Sequence, residues 1–424
     1  MIIEKIRQIW KIKDLRNKIL FVLGMLVIFR FIANIPVPGV DAAALKRLFN
    51  SNQILGLMDL FSGGGMKSFS IVMMGVGPYI TSSIIFQLLG MIVPKLEEMQ
   101  KEESGRQKIT LWTRWATVPL AVMQAYAMIN LLQRSSRNII TSVNSLDLIM
   151  MVVTVTVGTM FLMWIGELIS EKKIGNGISL IIFAGIVSAL PQTLSQIFLS
   201  FDKSQLFTLI GFVAIAIITV VGVVIINEGQ RNIPVQYARQ IRGNRTSGGS
   251  STHLPLRVNM AGVIPIIFAI SIIMFPSMVA QFFINAKTAW IANFSHWVIN
   301  LFQDQLFYGI IYFLLVFAFT YFYTEIIFHP DQVAENLQKQ GGFIPGIRPG
   351  RHTAEYLGHT THKIILVGAL FLGLIAVLPL VMRYFTGIQS LAIGGTSLLI
   401  VVSVVIDTVK QIKAQMSMRD YDGV

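Results

Sequence analysis

The chain has 424 residues, of which 54% are hydrophobic and only 13% are charged. Soluble domains carry about 25% charged residues, so this composition excludes a disordered chain and argues against a soluble enzyme. The absence of cysteine excludes disulfides, thiol catalysis and thiolate metal sites. The net charge of +13 makes nucleic acid and anionic membrane surfaces the two candidate partners.

The first segment, residues 1–18, combines apolar and basic residues in a helical pattern. Its isoleucines and Trp10 fall roughly on one face, and six basic residues accompany them: Lys5, Arg7, Lys11, Lys13, Arg16 and Lys18. This pattern predicts an amphipathic helix in the cytoplasmic membrane interface. A signal peptide is the alternative, but no small-residue cleavage site follows, so we expect the segment to be retained.

Ten apolar stretches follow, and nearly all are long enough for a helix to cross a bilayer. They therefore predict an all-α membrane protein with ten transmembrane helices. The stretches are Ile19–Ile35, Ile71–Val93, Leu111–Leu132, Leu146–Ile169, Ile178–Phe198, Leu206–Ile226, Met260–Phe283, Leu306–Phe328, Ile364–Met382 and Leu391–Ile406.

The distribution of basic residues predicts the topology. An even number of spans places both termini on one side, and roughly three quarters of the 34 Lys and Arg residues then share that side, which predicts cytoplasmic termini. We divide the chain into an N-terminal half (19–200), a C-terminal half (201–413) and a cytoplasmic tail (414–424). Five spans per half predict two halves of opposite orientation, an arrangement that commonly builds transport pathways.

Two cytoplasmic connections, 227–259 and 329–363, are much longer than a helix connection needs. Their basic side chains include Arg239, Arg242, Arg245, Arg348 and Arg351, with little acidic compensation. Solvated loops of a positive-inside protein would account for these charges. The functional alternative is a docking surface for an acidic or nucleic-acid-rich partner.

Small and polar residues within the second, fifth and seventh spans gain nothing from contact with lipid, so these spans are expected to face protein or water. Tight helix packing would explain each one singly, whereas the three together favour a lined pathway. Before the second span, Leu55–Met66 is apolar but too short to cross, and Gly63-Gly64-Gly65 predicts a loose joint at its end. This segment is either a plug within the bundle or a helix on the external surface.

The spans lack the groups of ionisable, metal-binding or nucleophilic residues that other classes of membrane protein require. Ion-coupled solute transporters keep ionisable groups inside the membrane, but here Glu167, Glu325 and Asp407 lie near predicted cytoplasmic ends. The histidines lie in or near loops without a matching carboxylate, and no nucleotide-binding or nucleophile motif is present. We therefore expect no enzyme activity, metal or cofactor, and the solute transporter remains the second hypothesis.

Several long motifs, in order from the N-terminal helix to about Lys413, resemble the SecY family of channel subunits of the bacterial protein-translocation complex. They are IPVPGVDAAAL at Ile35–Leu45, DLFSGGGMKSFSI at Asp59–Ile71, GPYITSSIIFQLL at Gly77–Leu89, GTMFLMWIGELI at Gly158–Ile169, GNGISLIIFAGI at Gly175–Ile186, STHLPLRVNMAGVIPIIFA at Ser251–Ala269, FIPGIRPG at Phe343–Gly350 and GGTSLLIVVSVVID at Gly394–Asp407.

The resemblance implies two inverted five-helix halves around an hourglass pore with a short plug helix. The pore ring would consist of Val76, Ile80, Ile182, Ile267 and Ile400. The plug would be formed by residues 55–66, including Leu55, Leu57, Met58, Leu60, Phe61, Gly63, Gly64 and Gly65. Val76 stands where isoleucine is common in the family, which implies a slightly wider or differently packed constriction.

The resemblance also implies a lateral gate between the second and third spans on one side and the seventh and eighth on the other. Thr81, Gln124 and Asn259 match its polar positions. The implied partners are SecE, SecG, the SecA ATPase and the ribosome, with signal sequences and unfolded preproteins as substrates. The implied location is the bacterial inner membrane, with lipid receiving hydrophobic segments from the gate.

Overall fold

In the computed structural model, helices occupy each of the ten predicted apolar stretches. The structure describes residues 10–38, 40, 44–45, 62, 64–134, 144–199, 206–237, 240–242, 245–247, 251–284, 288–386 and 394–422. The ten helices are α1 (Lys13–Ile32), α2 (Gly77–Ile92), α4 (Glu103–Arg134), α5 (Ser145–Glu171), α6 (Gly177–Leu199), α7 (Leu206–Glu228), α8 (Ile264–Phe283), α10 (Gln305–Ile327), α12 (Arg351–Thr386) and α13 (Gly394–Asp422).

Three helices lie between these spans: α3 (Pro94–Lys101), α9 (Ala289–Gln303) and α11 (Pro330–Lys339). Five strands complete the described elements: β1 (Gln230–Tyr237), β2 (Gln240–Arg242), β3 (Arg245–Ser247), β4 (Ser251–Arg257) and β5 (Gly342–Phe343). Helix α1 begins at Lys13, so the predicted boundary at residue 18 falls inside a continuous helix. Helix α13 likewise continues through most of the predicted tail, to Asp422.

Length and apolar composition identify three described helical runs that could each cross a membrane: Ser145–Glu171, Gln305–Lys339, which joins α10 and α11, and Arg351–Met382. A fourth candidate is the pair Gly77–Ile92 and Pro94–Gln100, which is bent by 111° at Val93. Pro94 follows this bend and lacks the N–H that a continuous helix would need. The helices are predominantly apolar and many large apolar side chains face outward, as expected of a multi-pass membrane protein.

The spans form two groups that meet at the centre of the molecule. In the N-terminal group, α2 packs on α4, α4 on α5, α5 on α6, and α1 on both α5 and α6. In the C-terminal group, α10 contacts α8 and α12, while α13 contacts α7 and α12. The groups touch where α8 meets α2 and α4, and again where α13 meets α6. A single apolar core with residues from both groups fills the space between these contacts.

The turn between α5 and α6 is closed by hydrogen bonds that its sequence encodes. Asn176 precedes α6, and its Oδ1 accepts from the N–H groups of Ile178 at 3.1 Å and Ser179 at 3.2 Å, the pattern of an N-cap. Ser170 Oγ donates to the carbonyl of Gly166 at 2.8 Å and accepts from the N–H of Gly177 at 2.9 Å. The backbones of α5 and α6 are therefore in close contact at this turn.

Replacing Gly177 with valine is expected to destabilise the protein by about 2–3 kcal/mol because a side chain at this contact overpacks it. A Cβ at Gly177 would overlap the carbonyl oxygen of Gly166 and lie 2.9 Å from Ser170 Oγ. Thermal unfolding in detergent, followed by intrinsic fluorescence, measures the loss. The control is Gly211→Val in α7, where nothing lies within 4 Å of an added Cβ. Equal melting temperatures for the two variants would contradict the close contact.

The segment that follows the predicted plug is packed against the N-terminal group. Met66, the last residue of the predicted plug, and Phe69, Met73 and Met74 after it are buried in a second apolar cluster with residues of α4 and α5. The segment is also joined to the end of α1, since the N–H of Val37 donates to the carbonyl of Phe69 at 2.8 Å. This bond brings together the motifs that begin at Ile35 and Asp59, which are separate in the sequence.

The two long connections form one folded unit, which we call the platform: β1, β4, β5, α11 and the first turns of α12. Its sheet has the order β4-β1-β5 with antiparallel neighbours, and Gln236 pairs with both Ser251 of β4 and Phe343 of β5. Beneath the sheet, Ile233, Leu256, Leu337, Ile344 and Leu357 share a small apolar core. The two connections therefore fold together into one unit and are not two independent loops.

Candidate pore, gate and docking surface

The five residues of the predicted pore ring lie in one apolar cluster at the centre of the molecule. Their helices come from both groups: Val76 directly precedes α2, Ile182 belongs to α6, and Ile267 belongs to α8. All five side chains are at most 6% exposed: Val76, Ile80, Ile182, Ile267 and Ile400. The cluster contains many other aliphatic side chains, so burial alone does not distinguish the ring from its surroundings. The five predicted ring side chains are all aliphatic, so they offer a passing ion or peptide no hydrogen bond.

The predicted gate has two walls, each a pair of helices: α2 with α4 on one side, and α8 with α10 on the other. Contacts within each pair hold that wall together. On one wall, Ser82 Oγ of α2 donates to the carbonyl of Thr113 in α4 at 2.8 Å. On the other wall, the ring of Phe268 in α8 makes edge contacts with Phe319 and Tyr323 of α10, at centroid distances of 6.1 and 5.9 Å. The walls then touch each other through α8 against α2 and α4. Each wall therefore has its own internal contacts, which are distinct from the contacts between the walls.

Within the part of the chain that the structure describes, two of the predicted polar gate residues make hydrogen bonds only inside their own half. Thr81 Oγ1 donates to the carbonyl of Gly77 at 3.1 Å, one turn earlier in α2. Asn259 Nδ2 donates to Asn227 Oδ1 at 2.7 Å and to the carbonyl of Gly262 at 3.1 Å. Gln124 is 6% exposed in α4. The bonds of Thr81 and Asn259 therefore order each wall and do not bridge the gate.

Asn259 belongs to a chain of polar contacts that the sequence did not reveal. Asn227 Nδ2 donates to Ser403 Oγ at 2.6 Å, so the amide of Asn259 is linked through Asn227 to α13. Beside it, Lys410 Nζ lies 2.9 Å from Glu228 Oε1 and donates to the carbonyl of Asn227 at 3.4 Å. These contacts tie together the end of α7, the start of α8 and the middle of α13.

A cavity of about 380 Å³ opens beside these contacts, between α8, α10 and α13 and next to the start of α6. Its lining includes Arg257, Asp407 and Lys410 together with the side chain of Asn259. Asn259 is 7% exposed, and its Oδ1 is buried without a hydrogen-bond partner. The cavity lies on the platform side of the apolar centre, as expected of the mouth of a pore.

Two of the five predicted docking residues, Arg348 and Arg351, lie on or beside the platform. Arg348 is exposed in a turn that its neighbours fix, since Thr353 Oγ1 donates to the carbonyl of Arg348 at 2.9 Å. Positive φ angles at Gly346 and Gly350, on either side of Arg348, explain why glycine occupies those positions. Arg351 is exposed in the first turn of α12, with Nε 3.2 Å from Glu355 Oε1.

The other three predicted docking arginines lie between β1 and β4. Arg242 and Arg245 are paired across the β2–β3 hairpin, whose backbone the structure describes. Arg239 lies outside the described residues. On α11 of the platform, the surface ion pair of Lys339 with Glu335 spans 2.7 Å, and the hydrogen bond from Lys339 lowers the pKa of the Glu335 carboxyl.

Most of the predicted plug, including Leu55, Leu57, Met58, Leu60, Phe61 and Gly63, lies outside the described residues. Gly64 and Gly65 are described and are fixed to the segment that follows: the carbonyl of Gly65 accepts from the N–H of Ser70 at 2.9 Å. A Cβ at Gly65 would come within 2.8 Å of Ser70 Oγ. The loose joint at Gly63-Gly64-Gly65 stays a prediction.

The sequence also left the roles of Glu167 and Asp407 open. Glu167 Oε1 lies 2.5 Å from Arg114 Nε, so this pair joins α5 to α4 near their platform-side ends. Asp407 lines the cavity. Among the residues that the structure describes, no three His, Asp or Glu side chains are grouped to hold a metal ion.

Two groups of apolar spans around a buried apolar centre, with a polar cavity on one side, define a helical membrane channel. A model of the SecY family matches residues 70–409. Protein translocase subunit SecY of Corynebacterium glutamicum is 43% identical over 98% of both chains, and that of Halalkalibacterium halodurans is 43% identical over 99% of this chain and 98% of the other. The chain therefore belongs to the SecY family, which confirms the resemblance seen in the sequence.

Solved structures share the fold at low sequence identity. One is described as a protein conducting channel, with a TM-score of 0.63 and 16% identity over 94% of this chain and 92% of that chain. Another is the canine Sec61 of a ribosome-channel complex from the endoplasmic reticulum, with a TM-score of 0.60, 16% identity and the same coverage. These likenesses confirm the predicted helical channel fold.

Proposed function

We propose that this chain is the protein-conducting channel subunit of a bacterial Sec translocase. The observation that carries the proposal is the central cluster in which α2, α6, α8 and α13 each place an aliphatic side chain. A narrow apolar constriction resists wetting by ions, and it cannot hold a passing peptide through hydrogen bonds. Val76, Ile80, Ile182, Ile267 and Ile400 form the constriction, and residues 55–66 form its plug.

The contact of α8 with α2 and α4 is the lateral gate. Because each wall is held internally, an arriving signal sequence has only to replace the apolar contacts between the walls. Hydrophobic segments then leave sideways into lipid, while polar segments continue through the pore. Relatives described as protein translocase subunits, and a solved structure whose description assigns closed-state stability to the plug domain of SecY, support this proposal.

The channel is passive and takes its energy from a partner at the platform. Arg239, Arg242, Arg245, Arg348 and Arg351 supply positive charge for the SecA ATPase or for ribosomal RNA and protein. SecE and SecG complete the complex. The chain resides in the inner membrane with both termini in the cytoplasm, since most Lys and Arg residues fall on that side.

Protease protection of a secretory precursor tests the function directly. Proteoliposomes would contain this chain with SecE and SecG, and would receive SecA and ATP. We expect protected precursor only when both this chain and ATP are present. A folded complex that gives no protection would overturn the proposal and favour the solute transporter, which solute-uptake assays would then test.

Replacing Asn259 with leucine is expected to raise export of a precursor with a defective signal sequence severalfold. The change removes the bonds that order the start of α8, each worth roughly 0.6–2 kcal/mol, and so lowers the cost of moving α8 away from α2 and α4. The measurement compares export of defective and normal precursors. Thr81→Val is the matched control, because that hydroxyl bonds only to its own helix. Unchanged export in the Asn259 variant would remove this residue from the gate.

A further inference from the structure

Helix α9 was not expected from the sequence, and it lies at the end of the helix bundle opposite to the platform. It begins shortly after α8 ends at Phe283, and only Asp304 separates it from α10. The helix packs back against α8 and also contacts α10, so it lies beside the far ends of one gate wall. Its 15 residues include no Asp, Glu, Lys or Arg.

The surface of α9 is divided into three faces when residues are placed at about 100° each around the helix. One face packs against the protein and includes Ser295, which is 2% exposed, and Phe302, which contacts the central core. A second face is aromatic and exposed. A third face, next to the aromatic one, carries the exposed polar residues Asn293, His296 and Asn300.

The aromatic face is an ordered stack rather than a scatter of apolar residues. Trp290 and Phe294 stack at a centroid distance of 6.1 Å and an interplanar angle of 16°, and Phe294 and Trp297 stack at 5.9 Å and 29°. These three side chains are 73%, 53% and 58% exposed. So large an exposed aromatic stripe indicates an apolar surrounding.

The aromatic face of α9 adjoins the exposed apolar surface of the neighbouring spans α8 and α10. Phe283, at the end of α8, and Leu306 and Ile310, at the start of α10, are also exposed. Trp112, Trp115 and Trp164, the tryptophans within the described spans, lie toward the platform-side ends of α4 and α5. The tryptophans of α9 thus supply the second of the two aromatic belts that membrane proteins place at their interfaces.

We propose that α9 is an interfacial anchor, which inserts Trp290, Phe294 and Trp297 among the lipids of the leaflet opposite to the platform and keeps its polar face in water. Lipid is the occupant because the aromatic face adjoins lipid-facing residues and the helix is uncharged, with apolar and polar faces side by side. Because α9 packs on α8, the anchor fixes the far end of a gate helix at a constant depth in the membrane.

The absence of cysteine in the chain makes a clean test possible. Phe294→Cys and the matched control His296→Cys, both at exposed positions of α9, would be labelled with bimane. The full chain with its partner subunits would be placed in vesicles of phosphatidylethanolamine and phosphatidylglycerol. Fluorescence quenching by lipids with a nitroxide on the acyl chain would then be compared with quenching by iodide in the water.

The proposal predicts a ratio of lipid to iodide quenching at position 294 that exceeds the ratio at position 296 by about threefold or more. A ratio at position 294 that exceeds the ratio at position 296 by less than about threefold would overturn the proposal. A protein partner that covers both positions would give that result. If either variant fails to assemble, Trp290→Cys and Asn300→Cys form a second pair on the same two faces, with the same criterion. This outcome is independent of whether the channel conducts polypeptides.

Discussion

Replacing Arg348 with glutamate is expected to lower SecA-driven transport about tenfold or more while leaving the folded complex intact. Arg348 is exposed in a turn held by Thr353, so the change alters the charge presented to a partner without disturbing a buried contact. Losing an attractive pair and gaining a repulsive one costs at least about 1.4 kcal/mol, which corresponds to tenfold in affinity. ATP-dependent protease protection of a precursor measures the loss.

Lys339→Glu is the control for Arg348, because it reverses one charge of the same sign on the same platform. Lys339 pairs with Glu335 one turn away, and exposed pairs of this kind contribute little to stability. We expect transport by the Lys339 variant to remain near normal. Equal losses in the two variants would indicate a general electrostatic effect. Normal transport by a well-folded Arg348 variant would exclude that arginine from the docking surface.

Replacing Ile267 with serine is expected to raise the ion conductance of the resting channel by about tenfold or more, since a hydroxyl in the apolar constriction favours its wetting. Ile267 is 6% exposed within the central cluster that both groups of spans share. Conductance of the purified complex in planar bilayers, without SecA or precursor, measures the leak.

Ile266→Ser separates a pore effect from a packing effect. Ile266 is the preceding residue of α8, is 0% exposed in the same cluster, and points about 100° away around the helix. Both variants bury a hydroxyl and lose similar apolar volume, so both are expected to lower the melting temperature. Only the Ile267 variant is expected to leak. Equal leaks would mean that loosened packing, and not a ring position, controls conductance.

The sequence predicted the spans because their signal is local. Each apolar stretch identifies its own helix without reference to the rest of the chain, and all ten predicted stretches contain one. Helix α9 escaped this reasoning because it is short and because polar residues such as Asn293 and Asn300 interrupt its apolar residues. Its stack of aromatics at helical spacing is the signal that could have revealed it.

The contacts of the candidate site are not local, which is why the sequence did not reveal them. Asn227 bonds to Ser403, 176 positions later, and no feature near either residue indicates the other. The two long connections share one sheet, which depends on the pairing of Gln236 in the first connection with Phe343 in the second.

The shared core of the platform also limits how the protein can be recombined with its relatives. Leu256 belongs to the first connection, Leu337 and Ile344 belong to the second, and all three fill the same small volume. A graft that imports one connection from a homologue would place foreign side chains against native ones across this core. Chimeras intended to exchange partner specificity should therefore transfer both segments together, as a single cassette that ends where the membrane helices begin.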